Sequence, residues 1–427
     1  MSPSATTAMF LLYEAAALLG RLDWVRPFSL TMPAVGAAAV TRPALLAMEY
    51  HLIRERRLLR SRTNDLAQWL NSPPGRAARP DSQQRKLTML RLQFNTILDQ
   101  FDIFADVLSQ RGEHEAGVWL AGLDAVAADA LSLPGAYFEA PPMVTYLDRG
   151  HGAAIRRART RLPGGSQNPV AIIRVPRERM LGSCGIGASL AHEVGHQGSA
   201  LLDLVRSIQP VLRDRAQEGG TLAPAWHMWE RWISEIWCDY WALAKLGVCA
   251  TLGLIAAVSL PRAFVFRINL DDPHPFPWIR VKLSCALGRI LYPDPQWDRL
   301  ARLGDSLYPT TGLSPMKQKT IAPLEATLPA FTKTLVEHRP PALRGKSLRE
   351  VMPIGERQPG RLRVAYRKWQ GATERVGVPP PTLAFAVLGQ ACADQTIDTE
   401  HEGAILTHLL QCWPLRNVLG RKASVRI

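Results

Sequence analysis

Two histidines one helical turn apart, with a glutamate between them, limit what this chain can fold into more than any other feature. They lie in Ser189-Leu190-Ala191-His192-Glu193-Val194-Gly195-His196-Gln197. On a helix, residues four apart project from one face, so both imidazoles can reach a single metal ion. Glu193 is not spaced to be a ligand, but it can accept a proton from an attacking water. Counting about 100° per residue from Leu190, the apolar residues Ile186, Leu190, Val194, Leu201 and Val205 fall between about −40° and +60°. His192 and His196 fall near roughly 200° and 240°, on the opposite side. The segment is therefore expected to be a helix that packs by one face and presents two imidazoles on the other. The competing account is a helix with two buried, hydrogen-bonded histidines.

A zinc site needs a third protein ligand. The continuation H-E-x-x-H-x-x-G-x-x-H is absent, because Ser199 and Leu202 stand where its glycine and histidine would be. Asp203 shares the histidine face but sits about 10 Å further along the helix. A better candidate lies 39 residues beyond His196, in Trp232-Ile233-Ser234-Glu235-Ile236-Trp237-Cys238-Asp239-Tyr240-Trp241. Five of the 12 tryptophans, Trp226, Trp229, Trp232, Trp237 and Trp241, crowd this stretch. A helix apolar all round is buried, and a buried carboxylate needs a metal or another cation. A salt bridge from Glu235 to an arginine is the plainer alternative. Glu230 is the reserve third ligand, without a carboxylate partner one turn on.

H-E-x-x-H followed by a second helix bearing E-x-x-x-D resembles the gluzincin metallopeptidases, the thermolysin-like group. The resemblance covers the region from residue 165 to residue 245, and the same stretch resembles an uncharacterised bacterial family that supplies no substrate. It implies that Glu235 is the third zinc ligand and that Asp239 is hydrogen-bonded to a ligand histidine. A ligating histidine does need its other ring nitrogen held, and a carboxylate does this well. It also implies that a strand just upstream of the metal helix binds substrate backbone by its edge. Val170 to Val175 reads as a strand in that place, and its edge is expected to be free. Gly182-Ser183-Cys184-Gly185 permits a tight turn into the metal helix, and Cys184 has no paired base that would make it a nucleophile. Downstream, Asp271-Asp272-Pro273-His274-Pro275-Phe276-Pro277-Trp278-Ile279-Arg280 is a proline-stiffened loop leading into a helix. By the same resemblance His274 or Arg280 would stabilise an oxyanion, with Tyr240 and His227 as competitors and a structural turn as the plain reading.

The rest of the chain supplies context. Residues 1–140 read as helical, with helices from Thr41 to Arg62, from near Ser82 onward, and around Trp119 to Val126. The expected stripe of the second runs through Leu87, Leu90, Phe94, Leu98, Phe101, Ala105 and Leu108, after a breaker at Ser72-Pro73-Pro74-Gly75. Residues 141–307 are expected to hold a zincin-like catalytic domain, and 308–427 a basic, helical accessory region ending in one or two helices between Leu383 and Leu410. The expected fold is α+β, mostly α-helical, with a small β-sheet and flanking helical regions.

The 51 Lys and Arg outnumber the 37 Asp and Glu, giving a net charge of +14. Such a surplus favours nucleic acid, anionic membrane surfaces or acidic proteins as partners. Two basic clusters carry much of it: Arg149, Arg156, Arg157, Arg159 and Arg161, and the run from Arg339 to Lys368 with Tyr366 and Trp369 beside it. The six scattered cysteines include no C-x-x-C pair, which points to reduced thiols rather than a disulfide framework. The apolar stretch Ala8 to Leu19 is interrupted by Glu14, and the uncharged run Leu246 to Leu260 is too short to cross a bilayer. A cytoplasmic chain without a membrane span is expected. Its expected function is zinc-dependent hydrolysis of a peptide or protein substrate. The alternative is a zinc-containing regulator or binding module that uses its basic surface on nucleic acid or acidic proteins.

Overall fold

A computed structural model describes residues 3–32, 34–112, 114–149, 152–177, 182–269, 271–370, 376–419 and 424–425. The chain is mostly helical, with a small three-stranded sheet, as its α+β reading required. It divides into two compact units. Residues 1–120, 141–146 and 156–172 form the first, and residues 121–140, 147–155 and 173–427 the second.

In the first unit, helix α1 (Pro3–Leu22), the single turn α2 (Phe28–Thr31), α3 (Arg42–Asn71), α4 (Pro73–Ala77), α5 (Pro80–Ser109) and the start of α6 (His114–Leu131) follow in order. Helices α1, α3 and α5 pack on one another. Leu11 and Leu18 of α1, Leu59 and Leu66 of α3, and Leu87 and Phe94 of α5 share one core. The expected breaker after α3 is itself the short helix α4, because the Ser72 hydroxyl accepts the Gly75 amide at 3.3 Å and caps it. The buried face of α5 turns from Leu87, Leu90 and Phe94 to Ile97, Phe104 and Val107, while Leu98, Phe101 and Ala105 stay half-buried. Helix α1 extends beyond the Ala8 to Leu19 stretch, and by length and composition it is long and apolar enough to cross a membrane. Its residues Ala8, Leu11, Ala15, Leu18 and Leu22 are buried.

Strands β1 (Met143–Asp148), β2 (Ala154–Arg156) and β3 (Ala171–Pro176) form the sheet in the order β1-β3-β2. The expectation that β3 offers a free edge is therefore corrected. It has a neighbour on each side, so its backbone groups are already paired, and β1 and β2 are the edges.

The second unit is built around α9 (Ala223–Leu246). Before it come α7 (Ser183–Leu201) and α8 (Leu204–Glu218), and both pack on it. Gly247, at φ 59°, ends α9 and starts α10 (Val248–Val258), so the uncharged run is a short helix after a turn. Then follow α11 (Arg262–Val265), α12 (Pro277–Leu291), α13 (Gln296–Leu307), α14 (Pro315–Glu337), α15 (Leu348–Val351), α16 (Pro359–Gln370), α17 (Pro381–Ala393) and α18 (Thr399–Leu419). Residues 308–427 belong to this unit, unlike the separate region read from the sequence. The reason is apolar packing: Trp229 of α9 stacks on Phe331 of α14 at 4.5 Å and donates to the Thr327 hydroxyl, and α17 packs against α9 and α10.

Candidate metal centre

The site lies where α7 crosses α9. Gly182, at φ 78°, turns the chain into α7, and the Glu402 carboxylate accepts the Ser183 amide at 2.7 Å, satisfying one donor of the first turn. Two glycines let the helices approach closely. A Cβ on Gly195 would lie 2.8 Å from the Cys238 Cα, and one on Gly198 would lie 2.5 Å from the Trp241 ring. The residue between the histidines is thus small because α9 occupies the space a side chain would need.

This approach brings His192, His196, Glu235 and Asp239 together. His192 Nδ1 is 2.9 Å from Asp239 Oδ1, and its Nε2 is 3.1 Å from Glu235 Oε2. His196 Nε2 lies 3.6 Å from the other Glu235 oxygen. A carboxylate can only accept, so we assign the Nδ1 proton of His192 to the bond with Asp239. Asp239 is in turn clamped by Arg280, whose Nε and Nη2 donate to its two oxygens at 2.6 and 2.8 Å. Asp239 therefore bonds a histidine and pairs with a guanidinium at the same time.

The electrostatics follow from burial against charge. Burial pulls His192 down, yet its bonds to Asp239 and Glu235 outweigh this and hold the imidazole up at about 9. Burial pushes Glu235 up, but His192 and His274 more than offset it and hold the carboxyl well below its usual range. Arg280 and His192 do the same for Asp239. Glu193 is the exception, for burial raises its carboxyl and its surroundings do not reverse the shift. Three buried carboxylates thus meet one guanidinium, which is committed to Asp239. The remaining negative charge has to be balanced by protons on imidazoles or by a metal cation.

The donor set fits a metal. Ligand atoms about 2.0–2.1 Å from a tetrahedral zinc lie about 3.3 Å from one another. The two contacts of Glu235 with the Nε2 atoms, 3.1 and 3.6 Å, bracket that spacing. Cys238 is a second nearby donor, and its sulfur lies within 4.8 Å of ligand nitrogens of both histidines. Nothing in the sequence singled it out beyond its place three residues after Glu235. Its thiol donates to the Ser234 carbonyl at 3.1 Å, and burial raises its pKa, so Cys238 and Glu235 both stand as candidate third donors beside the two histidines.

His274 reaches the site from the loop before α12. Its Nε2 is 3.2 Å from Glu235 Oε2 and its Nδ1 is 2.8 Å from Asp272, with the side chain about half exposed. A cleft is lined by His192, Glu193, Asp239, His274 and Arg280, together with Ala188, Ala250, Leu254, Ala257, Gly152 and Ala153.

The chain matches no family model, no curated protein and no solved structure.

The remaining candidates lie elsewhere. Glu230 pairs with Arg213 at 2.6 Å, and Asp203 pairs with Arg206 on an exposed turn. Tyr240 is fully buried and His227 is exposed, and neither lines the cleft. Cys184 has its thiol raised well above the usual value, chiefly by the neighbouring Cys249, which leaves it a poor nucleophile.

Proposed function

We propose that the chain is a zinc-dependent peptidase with a gluzincin-like, zincin-type core in its second unit. The observation that carries this reading is the position of Glu235, whose two oxygens face the Nε2 atoms of His192 and His196 while Glu193 faces the cleft. His192, His196 and Glu235 would hold the ion. Zinc in a three-ligand site acidifies water and polarises a carbonyl.

The chain's own residues supply the rest. Glu193 takes the proton of the attacking water on its carboxylate and returns it to the leaving amine, and its raised pKa suits both steps. Asp239 fixes His192 with the proton on Nδ1, and Arg280 fixes Asp239. Arg280 therefore serves as a positioning residue, since the two nitrogens named above are committed. His274 stands beside Glu235 with Nδ1 held by Asp272 and Nε2 facing the Glu235 carboxylate, so it would donate to a developing oxyanion only by releasing Glu235. An extended peptide would add to the edge strand β2, which directly follows the cleft residues Gly152 and Ala153.

Cys238 supports a second reading. If its thiolate filled the fourth position, the site would be closed and structural, and the chain a binding module that uses its basic surface.

The test compares zinc-loaded wild type with Glu193→Gln against a broad peptide library, read by mass spectrometry. Glu193→Gln is expected to keep its zinc and fold while cleavage drops by about 10²–10⁴-fold. Undiminished cleavage would sink the mechanism, and no cleavage by either protein would favour the closed site.

A further inference from the structure

Helix α1 is apolar on both of its sides but buried on only one. Met9, Phe10 and Tyr13 on the outer side are 59%, 61% and 71% exposed. The only charge before Arg21 is Glu14, which is paired with Arg91 of α5. A helix apolar all round is normally covered all round, so this outer face is built for contact with something.

The turn after α1 indicates what that is. Trp24 is 77% exposed, and the Arg26 guanidinium lies over its ring at 5.6 Å. Asp23 draws Arg56 and Arg60 of α3 to the same turn, and Arg21 closes α1. One guanidinium thus lies over an exposed indole, and three more, with one carboxylate, belong to the same turn or pair with it, at the end of an exposed apolar helix face. Indole and guanidinium groups settle at the headgroup level of a bilayer, and apolar side chains settle just beneath it. An excess of arginine selects anionic headgroups. A second copy of the chain would instead set these arginines against one another.

We infer that the first unit docks on an anionic lipid surface, with α1 lying in the plane of the interface and Arg21, Arg26, Arg56 and Arg60 over the headgroups. This assignment is independent of the metal centre. The face holds the protein to a membrane without spanning it.

Co-sedimentation of the full-length chain with vesicles tests the inference. One vesicle is phosphatidylcholine alone, and the other contains about one third phosphatidylglycerol. Binding is expected on the anionic vesicle and at least about tenfold weaker on the neutral one. Arg21→Gln and Arg26→Gln should each weaken binding about fivefold, and Phe10→Ser with Tyr13→Ser should weaken it further. These side chains are exposed, so circular dichroism and melting should match wild type. Equal binding to both vesicles, binding to neither, or unaltered binding of the variants would overturn the assignment. If Phe10→Ser with Tyr13→Ser instead converts a dimer to a monomer and no vesicle binds, the face belongs to a second copy and the lipid assignment falls.

Discussion

Two partly or wholly buried histidines, one in each unit, have opposite surroundings. His51 of α3 places Nε2 2.8 Å from the Gln100 amide oxygen, and Gln100 spends its own donors on the Pro163 carbonyl and the Ser166 hydroxyl. Burial lowers the His51 pKa, and the hydrogen bond to Gln100 offsets this only in part. His192 of α7 is flanked instead by two carboxylates and is held at about 9. A neutral ring beside an amide is satisfied and asks for nothing more. A ring between two buried carboxylates leaves negative charge that calls for a cation. Burial alone therefore marks structure, and burial with unbalanced charge marks a candidate site.

The largest expected effect that separates the two regions is at Asp239. Asp239→Asn should weaken zinc affinity by about 10–100-fold, because the amide no longer fixes the ring through a charged acceptor. Zinc competition with a chromogenic chelator reads this. An Asp239→Asn protein with unchanged affinity and only a lowered melting temperature would reduce Asp239 to a partner of Arg280.

Helix contacts differ in the same way. Gly195→Ala would set a Cβ against the Cys238 backbone, which cannot give way, and should cost about 1–3 kcal/mol. Gly20 in α1 has nothing within 4 Å of an added Cβ. Gly20→Ala should instead stabilise by about 0.5–1 kcal/mol. Thermal melting of the two variants should move in opposite directions, and a neutral Gly195→Ala would show that the α7–α9 contact is looser than described.

The smallest effect is a pH dependence at His51. Its pKa in the fold lies below the ordinary 6.5, so the unfolded chain takes up a proton that the fold resists. Above pH 6.5 the group contributes nothing, and as pH falls below 6.5 the fold loses stability. His51→Gln keeps a donor for Gln100 and cannot titrate, so its melting temperature should fall less between pH 7 and pH 5 (about the window of the unfolded group). Parallel pH profiles for the two proteins would remove His51 from this account.

How legible each feature was depends on how local its cause is. The trio His192, Glu193 and His196 is a spacing on one helix, and Glu235 was legible because a carboxylate among tryptophans has few other uses. The clamp of Arg280 on Asp239 was not, since no pattern says which of many arginines will face a given aspartate across 41 residues of chain. Strand order is likewise a tertiary fact. The run Ala171-Ile172-Ile173 is buried on successive residues, but so is the start of the edge strand β1, so burial pattern does not tell the centre from the edge. The α7–α9 approach was legible only as two glycines, Gly195 and Gly198, whose purpose appears once α9 is beside them. At the far end of the chain the helices between Leu383 and Leu410 were legible, whereas composition does not tell which helices share a core.

The central claim is that His192, His196 and Glu235 hold one metal ion. Its most direct test is the zinc content per chain, by plasma mass spectrometry after extensive dialysis, of wild type, Glu235→Ala and Cys238→Ser. The account predicts one zinc in wild type, none in Glu235→Ala and one in Cys238→Ser. Full zinc in Glu235→Ala together with its loss in Cys238→Ser would contradict the account and make the thiol the third ligand.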